Sequence, residues 1–263
     1  MNWSLYPYFL LPAIVFWLTG GIAALLKGYW QRKSSLLFLL GTLIMLSFAL
    51  LLWAEMGRAP LRTMGETRLW YAIYISVAGF FVHHRWHYHW MLSYAALMAI
   101  VFSLLIFFMP EVQNKNLAPA LQSFWFVPHV SVYIISYALL AVSMIMASQR
   151  LWHMNVAETS NPDFFHRLDK MVYVGVGFLI LGLVMGALWA NEVWFNYWSW
   201  DPKETWAFIT CIFYTLYIHL RKTNPRREKL ALWLLIFAFI CLLITWKGVN
   251  YLPSAKASMH SYN

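Results

Sequence analysis

Eight apolar runs, most of them long enough to cross a bilayer, occupy the greater part of this 263-residue chain. They fall at roughly 6–26, 36–54, 69–82, 90–109, 128–148, 171–189, 205–220 and 230–248. A helix needs about 20 apolar residues to span the hydrocarbon core, so this pattern leaves little chain for anything but a helical bundle. Lipid offers no partners for backbone N–H and C=O groups, and runs of this length satisfy them as α-helices. The third run is short and the seventh is interrupted by polar residues; these two carry the weakest spanning signal. Composition agrees, with 62% hydrophobic and 11% charged residues against about 25% charged in a soluble domain. The expectation is an all-α polytopic membrane protein. It would be a bundle of about 8 transmembrane helices forming a single domain over 1–263, with an external tryptophan-rich loop at 189–206. No internal repeat or low-complexity segment is evident, and no stretch is polar enough for a separate soluble domain.

Eight spans put both termini on one side. The loops at 27–35, 83–89, 149–170 and 221–229 then hold 12 of the 19 Lys and Arg residues against four acids. The remaining loops and termini hold seven cations against six acids. The positive-inside rule assigns the first set to the cytoplasm, so the termini and the loop at 190–204 face outward. The net charge of +9 therefore reports topology, and nucleic acid is not an expected partner. The N-terminal MNWSLYPYFLLPAIVFW lacks the positive n-region of a cleaved signal peptide and reads as the first span. Cys211 and Cys241 lie within apolar runs, and with no C-x-x-C the chain carries neither a thioredoxin-like site nor a covalent haem attachment motif of its own. In 149–170, an Asn-Pro-Asp turn followed by FFHRLDKMV predicts a short surface helix leading into the sixth span.

The outward stretch NYWSWDPKETW (196–206) combines a local and a ligand-binding reading. Asp201, Pro202 and Glu204 have the N-cap, N1 and N3 pattern of a capping box that opens the seventh helix. That explains the acids but not the rings. Trp189, Trp194, Phe195, Tyr197, Trp198, Trp200 and Trp206 fall within eighteen residues, whereas an interfacial belt needs one or two rings at a helix end. Such density suits a platform for a large, flat, apolar ligand, and a porphyrin fits that description.

The stretch WANEVWFNYWSWDPKETWAFIT closely resembles the tryptophan-rich signature of the haem-handling membrane proteins of cytochrome c maturation, and its ending is similar to the CcsA (ResC) branch. The resemblance continues in LQSFWFVPHVSVYIISYALL (121–140) and GVNYLPSAKASMHSY (248–262), with a weaker echo at GRAPLRTMGETRLW. The segment before His260 departs from the family pattern. The resemblance implies a carrier of haem b whose outer iron site is ligated by His129 and His260, imidazole being a common axial ligand. Trp189, Trp194, Tyr197, Trp198, Trp200, Asp201 and Trp206 would form the floor between them. It makes His219, about 20 Å along the seventh helix from Trp206, a ligand of an inner haem position, with the second ligand supplied by a CcsB (ResB)-like membrane partner. Lys203, Lys247 and Arg58 are outward cations that suit haem propionates or simple solvation. The four histidines of HHRWHYHW (83–90), a possible metal cluster by composition, read first as a solvated inside loop; His153 and His166 read likewise.

The function so implied is haem transport and covalent attachment to the C-x-x-C-H of an apocytochrome c at the outer face of the bacterial cytoplasmic membrane. The substrate thiols are the nucleophiles, so no catalytic nucleophile is expected here, and another protein must keep those thiols reduced. Two rival readings stay open, a HemX-like regulator of haem biosynthesis and a haem exporter without ligation chemistry; an electron-transfer cytochrome b subunit expects paired ligands facing each other across two or more helices, which His129, His219 and His260 do not supply within one chain.

Overall fold

A computed structural model describes residues 3–109, 119–153 and 162–253. The described residues form eight α-helices joined by short connections and three 3₁₀ turns, with no strand. The helices are α1 (Tyr6–Leu25), α2 (Tyr29–Met56), α3 (Met64–Trp86), α4 (Trp90–Phe108), α5 (Phe126–His153), α6 (Pro162–Trp194), α7 (Pro202–Thr223) and α8 (Glu228–Trp246). Six of them are long and apolar enough to cross a membrane; α3 and α7 are the two that are not. These are the short run and the interrupted run of the sequence. The chain divides into two compact units, one ending at Gln122 and the other beginning at Ser123.

Within the first unit, α1 packs on α2 and α4, and α3 packs on α2 and α4. The α1–α2 contact is a close backbone approach: a Cβ on Gly20 would lie 2.6 Å from the Phe38 nitrogen, and one on Gly41 would lie 2.9 Å from the Ala13 oxygen. Small residues serve this role where lipid removes the hydrophobic drive between helices and packing must hold them. Polar ties complete the unit. Trp17 Nε1 donates to Thr42 Oγ1 at 3.1 Å, and the Tyr6 hydroxyl donates to the Ser103 carbonyl at 2.9 Å.

The second unit has the same cyclic order, α5 against α6 and α8, and α7 against α6 and α8. Here α6 presents a line of glycines to α5. Added Cβ atoms at Gly175, Gly182 and Gly186 would strike Leu140, Tyr133 and His129 respectively. Residue numbers rise on one helix as they fall on the other, which fixes an antiparallel register. At the opposite end from His129, Asp169 of α6 accepts from the Tyr217 hydroxyl at 2.5 Å and pairs with the Arg221 guanidinium at 3.2 Å, joining α6 to α7. Arg221 also lies over the Phe165 ring, 4.3 Å from its centroid.

Two connections differ from the sequence expectation. FFHRLDKMV is not a separate surface helix: α6 starts at Pro162, whose missing N–H suits the first turn, and runs unbroken through Trp194. Its 33 residues make a rod of about 50 Å, longer than the ~30 Å hydrocarbon core, so this amphipathic first third can continue past the bilayer. Likewise 83–89 is not all loop. The third helix continues through Trp86 and the connection shrinks to His87, Tyr88 and His89.

Candidate functional site

The tryptophan-rich stretch divides in the structure into helical and non-helical parts. Trp189 and Trp194 belong to the last turns of α6, Trp206 to the first turns of α7, and the residues between the helices are 195–201. Asp201 is the N-cap of α7, with Pro202 first in the helix and Glu204 completing a capping box. Glu204 does more than cap. Its Oε2 accepts from the backbone N–H groups of Ser199 (2.8 Å) and Asp201 (3.1 Å) and from the Ser199 hydroxyl at 3.3 Å. Asp201 Oδ1 accepts from the Lys203 N–H at 2.9 Å, Asn196 Oδ1 from the Trp198 N–H at 3.3 Å, and the Trp200 carbonyl from the Thr205 hydroxyl at 3.1 Å.

These bonds hold a backbone that would not otherwise rest there. Phe195 and Trp200 both lie in the left-handed region, at φ 57° and 58°, which is costly for bulky side chains. The result is display. Phe195 is 90% exposed, Trp200 62% and Tyr197 56%. Trp198 is partly covered, its ring 5.8 Å from that of Trp200 at 88°, and its indole Nε1 is buried with no acceptor.

His129 sits one turn into α5, below this loop. Its Nδ1 lies 2.8 Å from the Gly182 carbonyl oxygen. A carbonyl only accepts, so Nδ1 carries the proton and Nε2 the lone pair. The ring stacks on buried Trp189 at 5.8 Å and 16° and meets Tyr133 edge-on at 4.6 Å. Gly186 opens the notch: a Cβ there would lie 2.6 Å from Cε1 and 2.8 Å from Nδ1. Three independent contacts thus fix the imidazole, the arrangement found where a histidine must hold one nitrogen in a set direction. The rings continue inward from His129 through Tyr133 and Tyr137 to Trp246 of α8, with centroids 5.5 Å apart at each of the last two steps. Phe126 and Trp194 flank Trp189 at 5.3 Å and 4.9 Å.

The structure therefore brings together His129, Trp189 and Trp194, and separately Trp198, Trp200 and Phe208, the last pair 5.7 Å apart. His219 lies far along α7, exposed, in the turn between Tyr217 and Arg221. His260 lies outside the described residues.

Two features escaped the sequence reading. One is the Asp169–Tyr217–Arg221 cluster, whose last two members flank His219 in α7; an acid between Arg167 and Lys170 was its only signal. The other lies in GRAPLRTMGETRLW of the first unit. Glu66, 1% exposed, forms a bidentate pair with Arg58 at 2.8 and 3.0 Å. The same Glu66 accepts from the backbone of Arg62 and Thr63 in a second capping box. Arg58 is thus engaged by a buried acid and is not a simply solvated cation. Burial and the neighbouring Arg58 charge draw the Arg62 pKa below its usual value, with Glu66 opposing. The third helix of each unit therefore carries, as its third residue, a glutamate that gathers N–H groups of the preceding loop.

The chain matches the family described as "Cytochrome C assembly protein" over residues 3–255. It belongs to that family. Relatives within it include CcsA proteins. The "Cytochrome c biogenesis protein CcsA" of Prochlorococcus marinus (strain MIT 9301) is 30% identical over 97% of this chain and 94% of its own length. The protein of the same name in Chlamydomonas reinhardtii is 40% identical over 57% of this chain and 44% of its own. Among solved structures, "Cytochrome c Heme Lyase CcmF" matches 93% of this chain with a TM-score of 0.70 at 17% identity, a likeness of fold; the chain spans 46% of that protein's length. Membership of the CcsA family accords with the apolar helices and with the tryptophan-rich signature on which the sequence resemblance rested.

Proposed function

We propose that this CcsA-family protein carries haem b to the outer face of the bacterial cytoplasmic membrane and presents it for covalent attachment to apocytochrome c. It would work as the CcsA-like subunit of a CcsBA-type synthase. The observation that carries the reading is the fixed imidazole of His129, whose Nδ1–H bond to Gly182 directs the lone pair to Nε2, the atom an iron ligand needs. The residues present fit the group. A planar tetrapyrrole finds stacking surface in Trp198, Trp200 and Tyr197, and the acceptor-free indole N–H of Trp198 suits a propionate. His260 is the proposed opposing ligand, and His219 the proposed ligand at an inner position shared with a CcsB-like partner.

In this reading haem is substrate, and the chain's own contribution is binding, orientation and exclusion of water. An apocytochrome with a reduced C-x-x-C-H docks on the exposed loop. Each thiol adds across one vinyl group: a C–S bond forms at one vinyl carbon, the thiol proton goes to the other, and no oxidant is needed. The protein acts by proximity, since holding thiol and vinyl in reach converts a bimolecular step into a local one. The Glu204 and Asp201 bonds matter because a loop that wandered would surrender that alignment.

The test is the reduced visible spectrum of the protein purified with its CcsB-like partner. Wild type should show a low-spin bis-histidine spectrum, lost or shifted in His129→Ala and weakened in Trp198→Ala and Trp200→Ala. Absence of haem from the wild-type complex would reject the reading. Haem bound without accumulation of apocytochrome c in a deletion strain would favour a regulator or exporter.

A further inference from the structure

HHRWHYHW, at the α3–α4 connection, is not part of the site above. Its histidines are far from equivalent. His84 and His87 are exposed, but His83 is 8% exposed and buried beneath the turn. The His83 and His89 rings face each other edge-on with centroids 4.9 Å apart. The Nδ1 atoms of both are buried with no hydrogen-bond partner. The backbone holds this pairing in place. The His87 N–H donates to the His83 carbonyl at 2.8 Å with His87 at φ 58°, and Tyr88 and His89 accept from Met91 and Leu92.

We propose that His83 and His89 form a binding site for a divalent late first-row transition metal of the zinc class, stapling the end of α3 to the start of α4. Two buried polar atoms without partners, on rings whose centroids are 4.9 Å apart, are costly, and one ion held by both imidazoles would satisfy both. The spacing, also an ordinary edge-to-face ring distance, fits one coordination geometry. With metal–nitrogen bonds of about 2.0 Å and a further ~1.1 Å from nitrogen to ring centre, two imidazoles on one tetrahedral ion have centroids about 5 Å apart. Two imidazoles trans across a haem iron lie about 6 Å apart on the same arithmetic. The observed 4.9 Å matches adjacent positions on a tetrahedral ion. No group of three or more His, Cys, Asp or Glu that could hold a metal ion occurs among the described residues, so the proposed site has two protein ligands and would take water at the other positions. Neutral imidazole favours zinc, cobalt, nickel and copper over magnesium and calcium.

The experiment titrates Co²⁺ into the full chain, purified in detergent with any affinity tag removed, and reads the visible d–d bands. Competition with Zn²⁺ and thermal melting follow. Wild type should bind one ion with tetrahedral-type bands and melt higher with Zn²⁺. His83→Ala and His89→Ala should each lose on the order of tenfold or more in affinity together with the Zn²⁺ shift in melting, while His84→Ala and His153→Ala bind as wild type. His89 is less buried than His83, so His89→Ala tests the site even where His83→Ala fails to fold. Equal losses across all four variants would mark diffuse surface binding and overturn the proposal, as would a wild type that binds no Co²⁺.

Discussion

Gly186→Ala separates the positioning of His129 from the stability of the helix that positions it. The new Cβ would arrive 2.6 Å from His129 Cε1 and 2.8 Å from Nδ1, closer than van der Waals contact allows. The imidazole is the movable party, so it swings out and its bond to the Gly182 carbonyl breaks. That bond is worth about 1 kcal/mol net, and the stack on Trp189 a further ~0.5–1.5 kcal/mol. Against this, alanine in place of a helical glycine stabilises α6 by about 1 kcal/mol. The variant should therefore fold and insert with a melting temperature close to wild type. Haem affinity should behave otherwise, because removing the group that orients a metal-binding histidine costs about 10–100-fold, or ~1.4–2.8 kcal/mol. The assay is a spectral titration with haem on the purified complex beside a thermal melt. Gly177→Ala is the control, since nothing lies within 4 Å of its added Cβ. Unchanged haem affinity in Gly186→Ala would refute the argument that the notch orients the ligand. A collapse of the melting temperature would refute the argument that the ring yields.

Glu204→Ala removes three hydrogen bonds from the loop and should cost about 1–2 kcal/mol; hydrogen exchange at Ser199 and Asp201 should accelerate while exchange in α5 stays unchanged. Asp169→Asn leaves Arg221 without its charge partner in a mostly buried setting and should cost on the order of 2–3 kcal/mol, read as a lower melting temperature, whereas Tyr217→Phe should cost only about 1 kcal/mol. Arg58→Ala leaves Glu66 nearly fully buried without its bidentate partner, and the loss should exceed that of Arg62→Ala; equal melting temperatures for the two variants would contradict the pairing as described.

Hydropathy carried most of the architecture, because a helix facing lipid has few ways to satisfy its backbone. It faltered at α3 and α7 for a physical reason. Those helices carry Glu66, paired with Arg58, Arg221, paired with Asp169, and the capping Glu204, bonded to loop N–H groups, contacts that no window average can see. The histidines divide along the same line. The place of His129 at the start of a span was readable from Pro128 and the apolar run. Its tautomer depended on Gly182 and its orientation on Gly186 and Trp189, more than fifty residues away in sequence. His83 read as solvated because its neighbours are polar; it is buried because α3 runs one turn further than its apolar residues do. The capping box at Asp201 was legible because it is local. Its extension to Ser199 was not, because a left-handed tryptophan, unusual for any bulky residue, redirects the chain there.

That last feature explains why four aromatic residues of NYWSWDPKETW surround a charged tetrapeptide. Large rings buried in a core would need no restraint, and rings exposed on a free loop would fold back on one another to escape water. Here the loop end of α6 turns on Phe195, and α7 begins just after Trp200, both residues held at positive φ. Each such residue costs on the order of 1–3 kcal/mol. The Glu204 and Asp201 carboxylates offset that strain with charge-assisted bonds to backbone N–H groups, stronger than neutral ones, at a helix N-terminus where negative charge is itself favourable. Rings and charges are thus two halves of one device: the acids hold the backbone in a conformation it would not keep alone, and that conformation keeps Tyr197 and Trp200 exposed.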